Sequence, residues 1–552
     1  MGELGELEER YDVIIRGGTA VLPSGARKAD IAVKDGRIAI VADAGLLDGA
    51  GRAAESIDAD GLLVMAGTVD VHVHVNEPNF GHWEGFASGS AALAAGGCTT
   101  YADMPLNGNP PTVDADALAL KARIAEGASA VDYAFWGGLV PGNADRLAEL
   151  AAAGVVGFKA FMSNPGGEGE GRFREIGREA LRDGMRRIAA FGGLLALHAE
   201  SEAITSRLAA KFAAEGRTGA RDFAASRPAV AELEAVSVAL ELAAETGCRL
   251  HFVHISTPEA IDMITAAKRR GIDVTAETCP HYLTLTEDDM ALVGPAAKCA
   301  PPLRGEDRRE RLWSLLLEGA IDLIASDHSP CPESMKTAPG LSFFDAWGGI
   351  AGAQNTLELM LEEGWVKRGL PLPLLSAALS ANPARRFGLY PRKGEISEGF
   401  DADLAIVDPN RPYVLTREGL YHRHPHNPYI GRQFTCKVVR TLCRGKTVYM
   451  DGEGVTPGGG MRLTVPPRIA GEGEAPIERT IVLPAQPDVP KARPDDPHAQ
   501  PDASKAQPDV PKPQPDVRQA QPNALPAQTP ASAPGLSRQA SRPLPGNGER
   551  PS

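Results

Sequence analysis

From Met65 to Leu389, short apolar runs alternate with Ala-, Leu- and Glu-rich stretches, and this alternation constrains the fold of the 552-residue chain more than any other feature. The runs are VDVHVH (69–74), TTYADM (99–104), VDYAFWG (131–137), VVGFKAFM (155–162), LLALHAE (194–200), LHFVHIS (250–256), DVTAETC (273–279) and IDLIASD (321–327). They have the length and make-up of strands, and helical stretches at 114–126, 179–190, 228–246 and 257–270 fall between them. Eight strands separated by helices over about 325 residues predict an α/β fold of the (β/α)8 TIM-barrel type, with some insertions. An open doubly wound sheet is the rival, but no GxGxxG or phosphate loop follows any of these strands.

The two flanks of this region are β-rich. Tyr11–Ala42 is broken by Gly-Gly, Pro-Ser-Gly and Lys-Asp-Gly turns, and similar runs return at Asp403–Val407 and Cys436–Met450. Neither flank has strands enough to close a core alone, so the two chain ends are expected to meet in one β-sandwich beside the barrel. The expected domains are therefore 1–65 (first half of the sandwich), 66–390 (barrel), 391–470 (second half) and 471–552 (linker and Pro-rich tail). From Pro484 onward, 17 of the chain's 45 prolines occur with no Phe, Trp, Tyr or Ile, so this segment lacks the apolar surface to offset its ordering entropy. Prolines 487, 494, 501, 508, 515 and 522 repeat every seven residues, which excludes a coiled coil and points to a disordered or polyproline-like tail. A partner-binding arm is the functional alternative.

Hydrophobic residues at 43% and charged residues at 23% support large soluble cores and exclude a collagen-like or wholly disordered chain. No stretch approaches 18 apolar residues, so no membrane span is expected, and the acidic opening MGELGELEERYDV has no secretion-signal character. A net charge of −14 disfavours nucleic acid as a partner. Seven scattered cysteines without a CxxC pair read as reduced, core-packed thiols of a cytoplasmic protein.

Six side chains on the barrel runs carry the chemistry. His72 and His74 sit two apart on the first strand, so period-two geometry points both imidazoles to one face. Alone, such a pair is more often two hydrogen-bonded core histidines than a metal site. Lys159 lies inside the apolar VVGFKAFM, where burial would push an ammonium well below its ordinary pKa of about 10.4. Either a buried carboxylate partner or conversion by CO2 to a carbamate, an anion able to bridge two metal ions, would relieve it. His198 and His254 each end an apolar strand, and Asp327 closes the eighth. Four histidines, a lysine and an aspartate at strand ends place these groups where barrel enzymes do their chemistry. Asp327 follows His72 by 255 residues, about 36 per strand interval against roughly 31 in a minimal barrel. Imidazole and carboxylate donors without thiolate favour zinc, with manganese, iron or cobalt as substitutes. Two ions about 3.5–4 Å apart would lower the pKa of a shared water and polarise a carbonyl. Asp327 would move the water's proton to a leaving nitrogen, so the expected reaction is metal-assisted hydrolysis of an amide.

The motifs around these residues are GTVDVHVHVNEP (67–78), GGCTTYADMPLN (96–107), GFKAF (157–161), HAE (198–200), HFVHIS (251–256), AETCPHYL (276–283), KCAPPLR (298–304) and ASDHSPC (325–331). As a set, over about residues 10–460, they resemble the cyclic amidohydrolases, whose members include dihydroorotases, dihydropyrimidinases (hydantoinases) and allantoinases. The resemblance implies a metal-dependent (β/α)8 barrel beside a β-sandwich and a binuclear centre on His72, His74, Lys159 as N6-carboxylysine, His198, His254 and Asp327. It also implies a homotetramer. Within the family the pattern is most similar to the allantoinases. Dihydroorotase-like members carry an Arg for the substrate carboxylate two residues after HxH, and here that position is Asn76, a neutral amide suited to an uncharged ureide. Asn76-Glu77-Pro78, Trp83-Glu84-Gly85-Phe86 and Trp347-Gly348-Gly349-Ile350 are similar to allantoinase signatures. The implied activity is ring opening of allantoin, a small cyclic ureide, to allantoate by a metal-bridging hydroxide with Asp327 as base and acid. Asn76 and the Gly348–Gly349 backbone are expected to hold the ureido arm. Asn79 departs from the family pattern, which has glycine there.

Other residues have blander readings. His281 and His328 are expected to support the ligands or pack, and Ser226-Arg227-Pro228 with Glu232 to start a helix. His422, His424 and His426 fall beside Pro425 and Pro428 and are expected in an exposed loop. Hydantoinase is the second reading, dihydroorotase the third, and a non-enzymatic scaffold with a recruiting tail comes from a different class.

Overall fold

In the computed structural model, which describes residues 10–48, 52–167 and 171–467, every apolar run of the central region is a strand. They are Thr68–Val73, Cys98–Asp103, Asp132–Phe135, Phe158–Phe161, Leu194–His198, Arg249–Phe252, Val274–Thr278 and Leu323–Ile324. Neighbours pair in parallel, as in Lys159 opposite Ala196 and His251 opposite Thr275. The third strand pauses at Trp136 and resumes at Gly137–Gly138, where it passes the sheet on to Phe158 and Lys159. Val73 bridges His328 in parallel and the His74 N–H donates to the His328 carbonyl at 2.8 Å, so the eighth strand closes on the first. The result is a (β/α)8 barrel.

The connecting helices start and stop on local signals. Asp114 accepts the Ala117 N–H to cap Ala115–Ala125, Pro258 opens Pro258–Arg269, and Gly247 at φ 69° ends Ala229–Thr246. Alternate strand residues such as Leu195, Leu197, Leu250 and Phe252 pack in one core with Met185, Val236, Ile261 and Ile264 from the helices. Each such burial is worth about 1.5–3 kcal/mol. A separate core of Val69, Val71, Ala134, Trp136, Ala196 and Leu323 fills the barrel.

The two chain ends do meet. Arg10–Leu22, Gly25–Lys34, Arg37–Asp43, Arg52–Asp58 and Leu63–Ala66 join Leu404–Asp408, Lys437–Cys443, Lys446–Met450 and Gly454–Val455 in one nine-stranded sheet. Val64 opposite Ile406 is the seam between the halves. The sheet is hydrogen-bonded continuously, and it curls so that the Asp35-Gly36 turn meets the Arg444-Gly445 turn, with Ala402 bonded to both Gly36 and Gly445. Val13, Ile15, Ile31, Val33, Ile406 and Leu442 form its own core, while Leu63, Met65, Ala405 and Val438 belong to the core shared by the barrel strands and helices.

No helix among the described residues is long and apolar enough to cross a membrane. All seven cysteines are buried and unpaired. The Pro-rich tail expected from 471 onward lies outside the described residues.

Candidate metal centre

Four of the six expected ligands sit at or just beyond the C-terminal ends of their strands, His198 at the end of its own and His74, His254 and Asp327 just past theirs, while His72 and Lys159 lie within Thr68–Val73 and Phe158–Phe161. The Asp327 carboxylate lies 3.1 Å from His72 Nε2 and 3.4 Å from His74 Nε2. These three buried side chains offer donor atoms that all lie within 4.8 Å of one another. On the other side, His198 Nδ1 and His254 Nε2 face each other at 3.0 Å. Lys159 is completely buried, and its Nζ has no hydrogen-bond partner among the described residues, resting 4.8 Å from the centre of the Phe161 ring. Burial drops its pKa to about 8, a fall only partly offset by Glu277 and Asp327. Among the described residues, no carboxylate pairs with Lys159 Nζ to make it an ordinary ion pair.

The backbone is strained at this mouth. Non-glycine residues with left-handed φ include Asn76 (66°), His254 (40°) and Asp327 (47°), conformations that cost about 1–3 kcal/mol unless their surroundings hold them. Asn79 has φ 65°, which explains why glycine suits that position. Asparagine is the side chain best able to replace it, and here its amide donates to the Asn109 carbonyl at 2.5 Å.

Two glutamates that sequence reasoning did not single out orient the imidazoles. His72 Nδ1 is 2.5 Å from Glu277 Oε1, and His198 Nε2 is 3.0 Å from Glu200 Oε2. Each contact fixes a tautomer and leaves the other ring nitrogen free to ligate. Burial pushes Glu277 up, but His72 and His251 outweigh it and hold the carboxyl at about 2. Glu200 also sits at about 2, where Arg227 and His198 overcome its burial. Asp327 falls well below the carboxylate range because His72, His74 and His254 overcome its own burial. Burial lowers His72, His198 and His254, which favours the neutral imidazole that binds metal. A buried carboxylate inside DVTAETC carries the same anomaly as Lys159 in VVGFKAFM, and that was the available signal for Glu277.

The expected substrate contacts lie on neighbouring loops. Asn76 is buried, donating to the Pro330 carbonyl at 3.1 Å and accepting from Asn107 at 2.8 Å. Gly349, at φ 156°, packs against Ser329, and its N–H donates to the Lys298 carbonyl at 2.8 Å. Gly348 beside it is exposed. His281 is buried against Tyr282 with its pKa lowered to about 4, and neither it nor His328 joins the convergent ligand atoms. Pro228 does start a helix, and Glu232 within it is buried, accepting Ser256 and Thr257. The exposed histidine loop is a correction: His422 and His426 are buried. His426 bonds the Cys331 carbonyl, His424 the His82 carbonyl, and the Arg423 N–H and guanidinium engage Glu84, so the loop is strapped across the mouth. Prolines there mark a loop, but its packing decides exposure.

Residues 63–448 match the amidohydrolase family. The chain belongs to the amidohydrolase family. Members of this family are metal-dependent. Among similar proteins, the allantoinase of Rubrobacter xylanophilus is 50% identical over 462 residues, covering 84% of this chain and 99% of the relative. The allantoinase of Deinococcus radiodurans is 47% identical over 442 residues, covering 80% and 96%. Among solved structures, the L-hydantoinase of Arthrobacter aurescens superposes with a TM-score of 0.78 at 36% identity, covering 82% of this chain and all of that one. A D-hydantoinase from a Thermus species gives a TM-score of 0.76 at 28% identity, covering 82% and 99%.

Proposed function

We propose that this amidohydrolase opens the hydantoin ring of allantoin to give allantoate. The observation that carries this reading is near-full-length identity of 50% and 47% to allantoinases, against 36% and 28% to the hydantoinases of similar fold. Asn76, a neutral side chain where a substrate carboxylate would call for arginine, favours the same ureide.

The donor set fits a pair of divalent ions. Lys159 Nζ and His254 Nδ1 are buried without hydrogen-bond partners among the described residues, and two imidazole nitrogens converge at 3.0 Å. We assign the ions to His72, His74, Lys159 as its CO2-derived carbamate, His198, His254 and Asp327. Zinc suits these donors, with manganese, cobalt or iron as substitutes. Bound there, the ions supply Lewis-acid polarisation of the ring carbonyl and a water that ionises near neutral pH.

The chain's own residues supply the rest. Asp327, kept ionised and steadied by a 3.1 Å hydrogen bond from Ser329 Oγ, takes a proton from the attacking water. It returns that proton to the ring nitrogen as the C–N bond breaks, leaving a carboxylate and a free ureido group. Glu277 and Glu200 keep the imidazoles in their ligating tautomers. Asn76, Gly348 and Gly349 hold the ureido arm, with Gly348 the exposed member of the three. We further assign a homotetramer, a cytoplasmic location supported by the seven unpaired thiols, and domain limits at 1–65, 66–390, 391–470 and 471–552.

The test is hydrolysis of allantoin, hydantoin, dihydrouracil and dihydroorotate by metal-replete enzyme, with a chelated control. Chelator-sensitive turnover of allantoin far above the others is expected. Preference for hydantoin or dihydrouracil would transfer the chain to the hydantoinase reading. Asp327→Asn should lower kcat by about 10²–10⁴-fold, the range for losing a positioned acid–base group.

A further inference from the structure

One carboxylate outside the ligand set touches both groups of ligands. Glu277 Oε1 accepts from His72 Nδ1 at 2.5 Å and from the His254 backbone N–H at 3.1 Å. His72 converges with His74 and Asp327, whereas His254 converges with His198. The other oxygen, Oε2, is 3.0 Å from His251 Nε2, and His251 Nδ1 is 2.8 Å from Thr275 Oγ1. The fold makes this chain of contacts possible. His251 and Thr275 are register partners on adjacent parallel strands, and Thr275 and Glu277 are two apart on one strand, so all three face the same side.

Each contact has its own consequence. The bond to His72 Nδ1 leaves Nε2 as the ligating nitrogen. The bond to the His254 N–H falls on a residue held at φ 40°, where an L side chain needs an external restraint. The bond to His251 fixes the carboxylate itself, and Glu277 is fully buried, so water cannot substitute for any of these partners. Glu200 differs. It accepts from His198 and is paired with Arg227, but it touches no ligand of the other group.

We propose that Glu277, braced by His251, is a positioning residue shared by both metal positions, whereas Glu200 positions one only. This rests on the binuclear reading above. One side chain on the seventh strand thereby couples occupancy of one position to the geometry of the other.

The experiment is zinc titration of the full-length enzyme against a chromophoric chelator, with cobalt absorption as a second readout of ligand geometry. Wild type is expected to hold two equivalents. Glu277→Gln should weaken both by about 10–100-fold, the usual cost of losing a ligand's hydrogen-bond partner. Glu200→Gln should weaken one equivalent by that factor and leave the other unchanged. His251→Asn, which touches no ligand, should weaken both by less, and it decides the matter if Glu277→Gln fails to fold by circular dichroism. Wild type at two equivalents with only one class weakened in the Glu277 or His251 variants overturns the inference alone. A wild type that never reaches two equivalents overturns the binuclear reading and the inference with it.

Discussion

Lys159 and Lys393 are both almost wholly removed from solvent, yet the protein treats them in opposite ways. Lys393 Nζ lies 2.6 Å from Asp132, 2.7 Å from Asp403 and 3.0 Å from Asp401, where the late half of the sheet meets the barrel. Burial alone would lower its pKa, but these carboxylates raise it above the ordinary lysine value. Lys159 has no hydrogen-bond partner at its Nζ among the described residues, and burial lowers its pKa to about 8. Asp132, Asp403 and Cys443 converge as closely as a metal site would, but the Lys393 ammonium already sits among these carboxylates. A buried charge that is fully paired fixes structure; one left unpaired in a packed barrel marks a place where something else must bind.

This contrast can be broken by mutation. Lys159→Met should reduce turnover by about a thousandfold or more, since the ions are worth several kcal/mol of transition-state stabilisation. In chelated protein the same variant should melt at or above the wild-type temperature, because an unpaired buried cation has been replaced by an apolar chain of similar size. A chelated variant that melts well below wild type would mean that Lys159 is a structural residue after all. Lys393→Met should do the reverse, costing about 3–5 kcal/mol in denaturant unfolding because it strands buried carboxylates. The protein that remains folded should keep its kcat.

Glu200 and Glu277, held at about 2 in the folded chain, bind fewer protons than when unfolded, so the stability they contribute is present above their ordinary pKa. It should drain away as pH falls from about 4.5 toward 2. Denaturant midpoints across that window should fall more steeply for wild type than for Glu277→Gln. The smallest effect is expected from removing residues 484–552, which should leave turnover intact; a large loss would contradict the appendage reading of the tail.

Much of this was legible in the sequence, for physical reasons. The eight strands were readable because each apolar run is short and bounded, and because the alternation of core and site residues along a strand survives into the fold. Asp103 illustrates the limit. Its run shows only that it ends a strand, and its partners, the Val75 N–H at 2.9 Å and Lys121 at 2.5 Å, are set by the closed barrel. The Val64–Ile406 seam and the curl that joins the two turns depend on pairing between distant segments, which no local pattern encodes. Glu277 was missed because its role exists only through His72, His251 and His254 on two other strands. His422 and His426 were misjudged because proline-rich loops are exposed unless a surface lies beneath them, and here the site's own loops provide it.

Whether Lys159 carries a carbamate can be read by carbon-13 NMR of metal-replete enzyme equilibrated with labelled bicarbonate. A carbamate carbon signal is expected in wild type and in folded Lys393→Met, and none in Lys159→Met. A wild type that holds two metals without that signal, or a signal that survives Lys159→Met, would contradict the carbamate assignment.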